Sequence, residues 1–370
     1  MNEDGARFGA VILAAGFSSR MGDFKPLMDL GGMTVLERCV RLFREAGVHR
    51  ILALTGHRAP EVRAEAGRLG IHTVHNPDYE AGMFSSVRAA VSSGPGRDGF
   101  FVLPVDIPLV RPATVELLLD AYDGRVAYPV FGGERGHPPL IPSELIPHIR
   151  EHDGSGGLQT VLERADALDV PVWDRGILLD ADTPDDFFVL RGRAVRMRIG
   201  ERDEALALAG LSMPERGVAH GRAVAAVALR LGGELNRHGG ALDLNLIHNA
   251  ALLHDVAKGW PGHEAAGGEL LGRLGLGGLS DIVAAHRDVP PPVSGVLTEK
   301  EVVCLADKLV RCDRRVAVED RFGEKLNLYR CDEEACDAIR GRLRNALALL
   351  DMIEKICGRE VEAILAGVLP

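Results

Sequence analysis

Long hydrophobic runs are missing from this 370-residue chain. No uninterrupted apolar stretch approaches the ~18 residues that a bilayer span needs, so no membrane partner is expected. Blocks of Lys and Arg are missing too. The chain has 43 basic against 53 acidic side chains, for a formal charge of −10. An acidic chain without a basic stripe does not suit bulk nucleic acid or an anionic lipid surface. The six cysteines form no Cys-x-x-Cys pair and are too sparse for a disulfide framework. Reduced thiols and a cytoplasmic location are therefore expected. Residues 1–8 are polar and lack the charged-then-apolar order of a secretory signal. Internal repeats and extended low-complexity tracts are also absent. Gly and Pro together reach only about 17%, below a disordered composition.

What is present divides in two, as the length alone suggests at ~150 residues per domain. Up to about residue 190, short apolar runs alternate with amphipathic stretches. Ala10–Ala14, Ile51–Leu54, Ile71–Val74, Phe100–Val105, Val126–Val130 and Ile177–Leu179 read as strands. Thr34–Ala46 reads as a helix, with Thr34 and Glu37 as a capping box and Gly47 at its stop. Runs that are apolar throughout, separated by helices, predict a mostly parallel sheet covered on both faces. Residues 191–211 read as a linker with some helix. From residue 212 to 370 apolar residues recur at helical spacing, as in Val224, Val227, Ala228 and Leu231. That half is expected to be all-helical.

The first strand runs into Leu13-Ala14-Ala15-Gly16-Phe17-Ser18-Ser19-Arg20-Met21-Gly22-Asp23-Phe24-Lys25. Gly16 and Gly22 permit tight turns and close approach of backbone N–H groups to an anion. Arg20 and Lys25 bring two cations to the same loop. Such a loop at the end of a buried strand suits a triphosphate, though a Gly-containing surface turn with two solvated bases would share these features.

The full string resembles the signature of the nucleotidyltransferases that activate the molybdenum cofactor, Leu-Ala-Ala-Gly-x-Ser-x-Arg-Met-Gly-x-x-Lys. Asn76-Pro77 with Gly82-Met83-Phe84-Ser85-Ser86, then Val105-Asp106-Ile107-Pro108, Gly136-His137-Pro138 and Asp180-Ala181-Asp182-Thr183-Pro184 follow that family's motifs in order. The resemblance covers residues 9–190 and implies a three-layer, Rossmann-like α/β fold. It implies that Leu13, Ala14, Ala15, Gly16, Arg20, Lys25 and Ser85 bind a nucleoside triphosphate. Asp106 and Asp182 would hold Mg²⁺, and Lys25 would act on the leaving pyrophosphate together with Arg20. The implied acceptor is molybdopterin, with a molybdoenzyme apoprotein as a further candidate partner. Leu-Ala-Ala-Gly, in place of the Leu-Ala-Gly-Gly of guanylyl-transferring relatives, favours CTP. The chain departs from the family at His152-Asp153-Gly154-Ser155-Gly156-Gly157, near the expected pterin side. A sugar phosphate or another metabolite stays open as acceptor.

In the helical half, ionisable residues sit on apolar faces. His254 shares a face with Ile247, Ala250 and Ala251; His220 lies with Val224 and Val227; Asp307 lies with Val303 and Val310. A lone histidine on such a face is usually a core residue. Buried carboxylates on several helices need a common compensation, which a metal cluster supplies. The order His220, His254-Asp255, Asp307 resembles the HD superfamily of metal-dependent phosphohydrolases. Gly262-His263-Glu264 and Ala284-Ala285-His286 resemble members with extra histidines and two metals. The implied ligands are His220, His254, Asp255, His263, His286 and Asp307. They would hold Mn²⁺, Fe²⁺, Zn²⁺ or Mg²⁺ and lower the pKa of a bound water. Lys258 would steady the phosphate oxygens. The chain thus reads as a bifunctional enzyme, with a non-catalytic HD sensor as the alternative for its second half.

Overall fold

The computed structural model describes residues 7–18 and 20–369; Ser19 of the phosphate loop and the polar segment 1–6 lie outside them. The chain forms two compact units, Met1–Val195 and Arg196–Pro370.

The first unit is built on one mixed sheet. Its elements are β1 (Phe8–Leu13), α1 (Val35–Glu45), β2 (Arg50–Thr55), α2 (Ala59–Leu69), β3 (His72–His75), α3 (Met83–Val91), β4 (Gly99–Pro104) and α4 (Pro112–Ala121). There follow β5 (Val126–Phe131), β6 (Glu134–Arg135), β7 (Leu140–Pro142), α5 (Ile146–Glu151), α6 (Gly157–Leu162), β8 (Ala167–Pro171) and α7 (Pro184–Arg196). The strand order is β3-β2-β1-β4-β7-β5-β6, with β8 beside β5. The β3-β2-β1-β4 side is parallel, and Leu13 stands opposite both Leu54 and Pro104. One sheet face packs Val11, Leu13 and Val102 against Phe84, Val87 and Ile149 of α3 and α5. On the other, the rings of Phe43 and Phe101 lie 5.6 Å apart.

The sheet is mostly parallel, as expected: β5 and β8 also pair in parallel, and the antiparallel pairs are those made by β6 and β7. β7 inserts antiparallel between β4 and β5. Its three residues follow Pro138-Pro139 and end in Pro142, so no apolar run announced it. Ile177–Leu179 is not a strand. Asp174, buried, accepts from the Arg111 and Gly176 amides at 2.6 and 2.8 Å and from Thr114 Oγ1 at 2.8 Å. That carboxylate fixes a 3₁₀ turn at Arg175–Leu178. The last strand is instead β8, an edge strand with only Val170 buried. At α1, Thr34 caps the Glu37 amide at 3.0 Å. The Glu37 carboxylate turns to Arg41 and Arg68, so the reciprocal half of the capping box is not made.

The second unit holds α8 (Arg202–Ser212), α9 (Glu215–Arg237), α10 (Leu244–Leu253), α11 (His263–Arg273), α12 (Ser280–Ala285) and α13 (Glu299–Lys308). A short hairpin, β9 (Val310–Arg311) and β10 (Arg314–Arg315), precedes α14 (Val318–Leu328), α15 (Glu333–Cys357) and α16 (Val361–Ile364). The hairpin is a small departure from the all-helical expectation; two-residue strands carry no periodic signal. The stretch read as linker contains most of α8, which buries Ala205, Leu208 and Ala209 and packs on α9 and α10. Its Glu201–Glu204 capping box starts a structural helix of this unit.

Candidate functional sites

In the first unit the chain runs from β1 to β2 and β3 on one side, then returns to place β4 on the other. The crevice at the carboxyl ends of β1 and β4 is thus a topological switch point, where open α/β sheets bind ligands. The loop 14–27 and Asp106 both emerge there. The loop is shaped locally: Ser18 and Gly22 take positive φ of 55° and 72°, and Ser18 Oγ accepts from the Lys25 amide at 3.1 Å. Lys25 is thereby folded inward and largely buried. Gly16 differs, since its φ is not in the left-handed region and, among the described residues, a Cβ there would meet no atom within 4 Å.

The Lys25 ammonium lies 2.8 Å from Asp182 Oδ1 and 3.3 Å from Asp106 Oδ2, and Arg20 reaches Asp182 Oδ2 at 3.2 Å. The Ala181 amide donates to the Asp106 carbonyl at 2.9 Å, which ties the 180–182 segment to the end of β4. The four residues singled out in sequence are together: two cations and two carboxylates in one group. The Lys25 hydrogen bond and charge hold Asp182 below the usual carboxylate range. Asp180, not singled out in sequence, belongs to the same group. Burial, then the charges of Asp182 and Asp106, push its carboxyl up. The repeated Asp in Asp-x-Asp was the available signal.

Leu13, Ala14 and Ala15 are buried and serve the sheet through their backbone: the Ala14 amide donates to Leu54, and the Leu13 and Ala15 carbonyls accept from Val105 and His57. Ser85 is not part of the charged group. Its hydroxyl is engaged at 2.8 Å with each of Asn76 Nδ2, the Asp78 carbonyl and the Gly82 carbonyl, and so orders the 76–85 turn.

In the second unit five elements converge. His220 comes from α9, His254 caps α10 with Asp255 next, His263 opens α11, His286 caps α12 and Asp307 lies near the end of α13. His254, Asp255, His286 and Asp307 are buried. Backbone carbonyls fix the rings: His220 Nδ1 meets the Cys312 carbonyl at 2.8 Å, His254 Nδ1 that of Ala251 at 2.7 Å, and His286 Nδ1 that of Val283 at 2.6 Å. A carbonyl can only accept, so Nδ1 carries the proton and Nε2 of the neutral ring presents a lone pair. Burial pushes the His254 imidazole down to about 4, so the ring is neutral at pH 7.

Those lone pairs face carboxylates. His220 Nε2 is 3.3 Å from Asp307 Oδ1, and His254 Nε2 is 3.5 Å from Asp255 Oδ2. Acceptor facing acceptor in a buried site calls for a cation between them, and the residues fit a divalent metal. Among the described residues, the groups with ligand spacing are His220, His254 and Asp255, and Asp255, His263 and His286. Asp255 is common to both. Asp307 adjoins the first group, 3.7 Å from His254 Nε2, and also carries Lys308 and Arg321 on its carboxylate. Burial opposes its ionisation, yet the charges of Lys308 and Arg321 hold it well below the usual range. Lys258 pairs with Asp255. Lys308 and Arg321 were missed in the sequence. Lys308 adjoined a named motif, whereas Arg321 sits on α14 with no motif around it.

Two cavities adjoin this centre. One, of about 640 Å³, is lined by His263, His286, Arg287, Leu328, Tyr329 and Arg342 among others. The second, of about 620 Å³, is lined by Met213, Pro214, His220, Val310, Arg311 and Cys312. Asp255, Lys258, Arg321 and Lys325 border both. No helix among the described residues is long and apolar enough to cross a membrane.

Comparison with known proteins agrees with this division. Residues 10–169 match the MobA-like NTP transferase domain and residues 217–312 the HD domain. The molybdenum cofactor cytidylyltransferase of Escherichia coli (strain K12) is 29% identical over 184 residues, covering 50% of this chain and 95% of that protein. The bifunctional IPC transferase and DIPP synthase of Rubrobacter xylanophilus is 42% identical over 117 residues, covering 30% of this chain and only 26% of that protein. Among solved structures, a nucleotidyl transferase from Methanothermobacter thermautotroptrophicus superposes with a TM-score of 0.46 at 24% identity, over 52% of this chain and 99% of that chain. The chain therefore carries a MobA-like NTP transferase domain at residues 10–169 and an HD domain at residues 217–312.

Proposed function

We propose that the first domain transfers a cytidylyl group from CTP to molybdopterin with release of pyrophosphate. The observation that carries this reading is the Lys25–Asp106–Asp182 group at the switch point between β1 and β4. An attacking phosphate oxygen and the α-phosphate are both anionic, so transfer depends on positive charge fixed at the reacting phosphorus. Asp106 and Asp182 would hold Mg²⁺, which supplies charge neutralisation when bound. Lys25 and Arg20 would then turn from the carboxylates to the β- and γ-phosphates and the leaving pyrophosphate. Leu13, Ala14 and Ala15 set the backbone course of the loop, and Gly16 leaves space for the nucleotide. Ser85 contributes indirectly, by ordering the 76–85 turn.

The cytosine preference rests on Leu13-Ala14-Ala15-Gly16 and on the likeness to the E. coli cytidylyltransferase. The test is competition between CTP, GTP and ATP with molybdopterin as acceptor. A preference for CTP of about 1–3 kcal/mol, the scale of one or two polar contacts, is the expected result. Equal incorporation of CMP and GMP would refute the base assignment. The loop at 152–158 favours a second reading in which the acceptor is another phosphorylated metabolite; transfer to such a compound and not to molybdopterin would establish it.

The second domain, on this proposal, is a phosphohydrolase. His220, His254, Asp255, His263, His286 and Asp307 would hold two divalent transition metals such as Mn²⁺, Fe²⁺ or Zn²⁺. When bound they supply Lewis acidity toward water and phosphate. Lys258, Arg321 and Lys325 border the same centre and would bind the phosphate oxygens. A Mn²⁺-loaded protein that hydrolyses none of a panel of phosphate esters and anhydrides would leave this domain a sensor.

A further inference from the structure

The HD centre opens on two sides. His263 and His286 face the first cavity, His220 faces the second, and Asp255 borders both. A phosphate monoester has one substituent and would use one cavity. The two volumes, about 640 and 620 Å³, each fall within the range of ordinary small-molecule sites. Between the cavities stand three cations, Lys258, Arg321 and Lys325. A substrate phosphate there competes with Asp255 for Lys258 and with Asp307 for Arg321, and a pyrophosphate, with a charge on each of two adjacent phosphorus atoms, can reach more than one of the three. The outer walls suit organic groups. Half-exposed Tyr329 and exposed Leu328 line the first cavity, and Met213, Pro214 and Val310 the second. An exposed aromatic ring beside a cationic floor fits a planar heterocycle attached to phosphate.

We propose that the substrate of the HD centre is a P1,P2-disubstituted pyrophosphate, with its two phosphates on the Lys258–Arg321–Lys325 bridge and one organic group in each cavity. This rests on the phosphohydrolase reading of the domain and names its substrate class. The reaction consumes one water. Its oxygen bonds to one phosphorus and the P–O bond to the bridging oxygen breaks. The bridging oxygen leaves on the other phosphate, giving two phosphate monoesters and releasing the protons of the water. The class of reaction that supplies such a linkage is nucleotidyl transfer to a phosphate monoester, the reaction proposed for the first domain.

Cys312 provides a readout that does not depend on turnover. It is exposed and lines the second cavity, whereas Cys331, also exposed, lines neither. The experiment uses the full chain with Mn²⁺ and iodoacetamide, and follows each thiol by mass spectrometry. The probes are P1,P2-dicytidine pyrophosphate, P1,P2-diadenosine pyrophosphate and flavin adenine dinucleotide, their methylene-bridged analogues where available, and CMP and AMP as halves. At least one disubstituted probe should slow Cys312 about tenfold at ten times its Kd, with Cys331 unchanged and the halves giving under about twofold. Tyr329→Ala, in the opposite cavity, should abolish most of that protection, because one molecule spans both.

The same disubstituted probe should be cleaved to its two monophosphates, with one solvent oxygen in the products. Equal protection by the halves, or protection unmoved by Tyr329→Ala, would overturn the proposal. So would hydrolysis of p-nitrophenyl phosphate with no cleavage of any disubstituted probe, which leaves the phosphohydrolase reading standing. If nothing is hydrolysed while Cys312 is protected as described, that reading fails and the two-cavity binding mode holds.

Discussion

Gly221 of α9 faces Leu252 of α10 so closely that a Cβ on Gly221 would lie 2.3 Å from the Leu252 carbonyl oxygen. The two helix backbones touch there, one residue from His220 and two from His254. The rings of those histidines consequently stand 5.1 Å apart. Gly221→Ala must push α10 away from α9. The expected cost is about 1–3 kcal/mol of stability, as for other overpacked cores. Calorimetry should show the second unit melting roughly 2–10 °C lower. Bound transition metal should fall as well, because His220 and His254 separate. An unchanged melting temperature would mean that the backbones part without cost.

Asp106 is the second case. Its backbone carbonyl accepts from Ala181 and its side chain meets Lys25 at 3.3 Å. Asp106→Asn keeps shape and the backbone bond and removes only charge. Nucleotidyl transfer should drop by at least ~10²-fold, the scale of losing one preorganised electrostatic contact. Circular dichroism and the melting temperature should stay close to the parent. Near-normal transfer by a folded Asp106→Asn protein at saturating Mg²⁺ would remove Asp106 from the reaction.

Both sites owe their legibility in sequence to contiguous strings. Leu13 to Lys25 and Asp180 to Asp182 are local motifs, and the sheet edge that unites them follows from strand order. His254-Asp255 is local too, and apolar spacing put His220 and Asp307 on inward faces. The unread parts have physical reasons. β7 and β8 are short edge or inserted strands whose pairing depends on distant partners. The turn at Arg175–Leu178 reads as a strand because Ile177 is buried like a strand residue, while Asp174 caps the Gly176 amide and holds the backbone in a 3₁₀ turn. Ser85 carries a motif position, yet its hydroxyl is engaged by its own turn. Arg321 reaches Asp307 across 14 positions of sequence, and no periodicity reports a long side chain's reach.

Gly16 gives a prediction that separates binding from folding. Among the described residues a Cβ there meets nothing within 4 Å, and the backbone has no positive φ. Gly16→Ala should leave stability within about ±0.5 kcal/mol, as a surface substitution does. The added methyl points into the space assigned to the triphosphate, so KM for CTP should rise about tenfold or more, equivalent to ~1.4 kcal/mol. A stable variant with the parent KM would show that the nucleotide does not approach this backbone.

The thiols should divide by burial. Cys39 is fully buried, 3.6 Å from the Val105 carbonyl; burial, and then the charge of Asp106, push its thiol up. Burial does the same at Cys304. Only a thiolate alkylates readily. The folded protein at pH 8 should therefore take label at Cys312 and Cys331, the two exposed thiols, and at the other four only after unfolding in urea. The sign with pH follows: a raised folded pKa keeps Cys39 protonated from pH 7 to 9, so its labelling should stay slow across that range. Fast labelling of Cys39 in the folded state would contradict its burial beneath the β4 edge.

The shared ligand Asp255 makes the metal stoichiometry of variants unequal. His254 belongs only to the group with His220, and His263 only to the group with His286, while Asp255 joins both. His254→Ala and His263→Ala should each reduce bound transition metal from two ions to one, and Asp255→Ala should remove both, as read by elemental analysis after dialysis. Every one of these residues lies beyond residue 196, and the Lys25–Asp106–Asp182 group lies before it. Nucleotidyl transfer at fixed Mg²⁺ should therefore be unchanged in all three variants while hydrolysis is lost in Asp255→Ala. Equal loss of metal in His254→Ala and Asp255→Ala would mean a single site. Transfer falling in parallel with hydrolysis, in variants that keep both units folded, would mean that the HD domain reports its occupancy to the transferase, and the sensor reading would then replace the hydrolase.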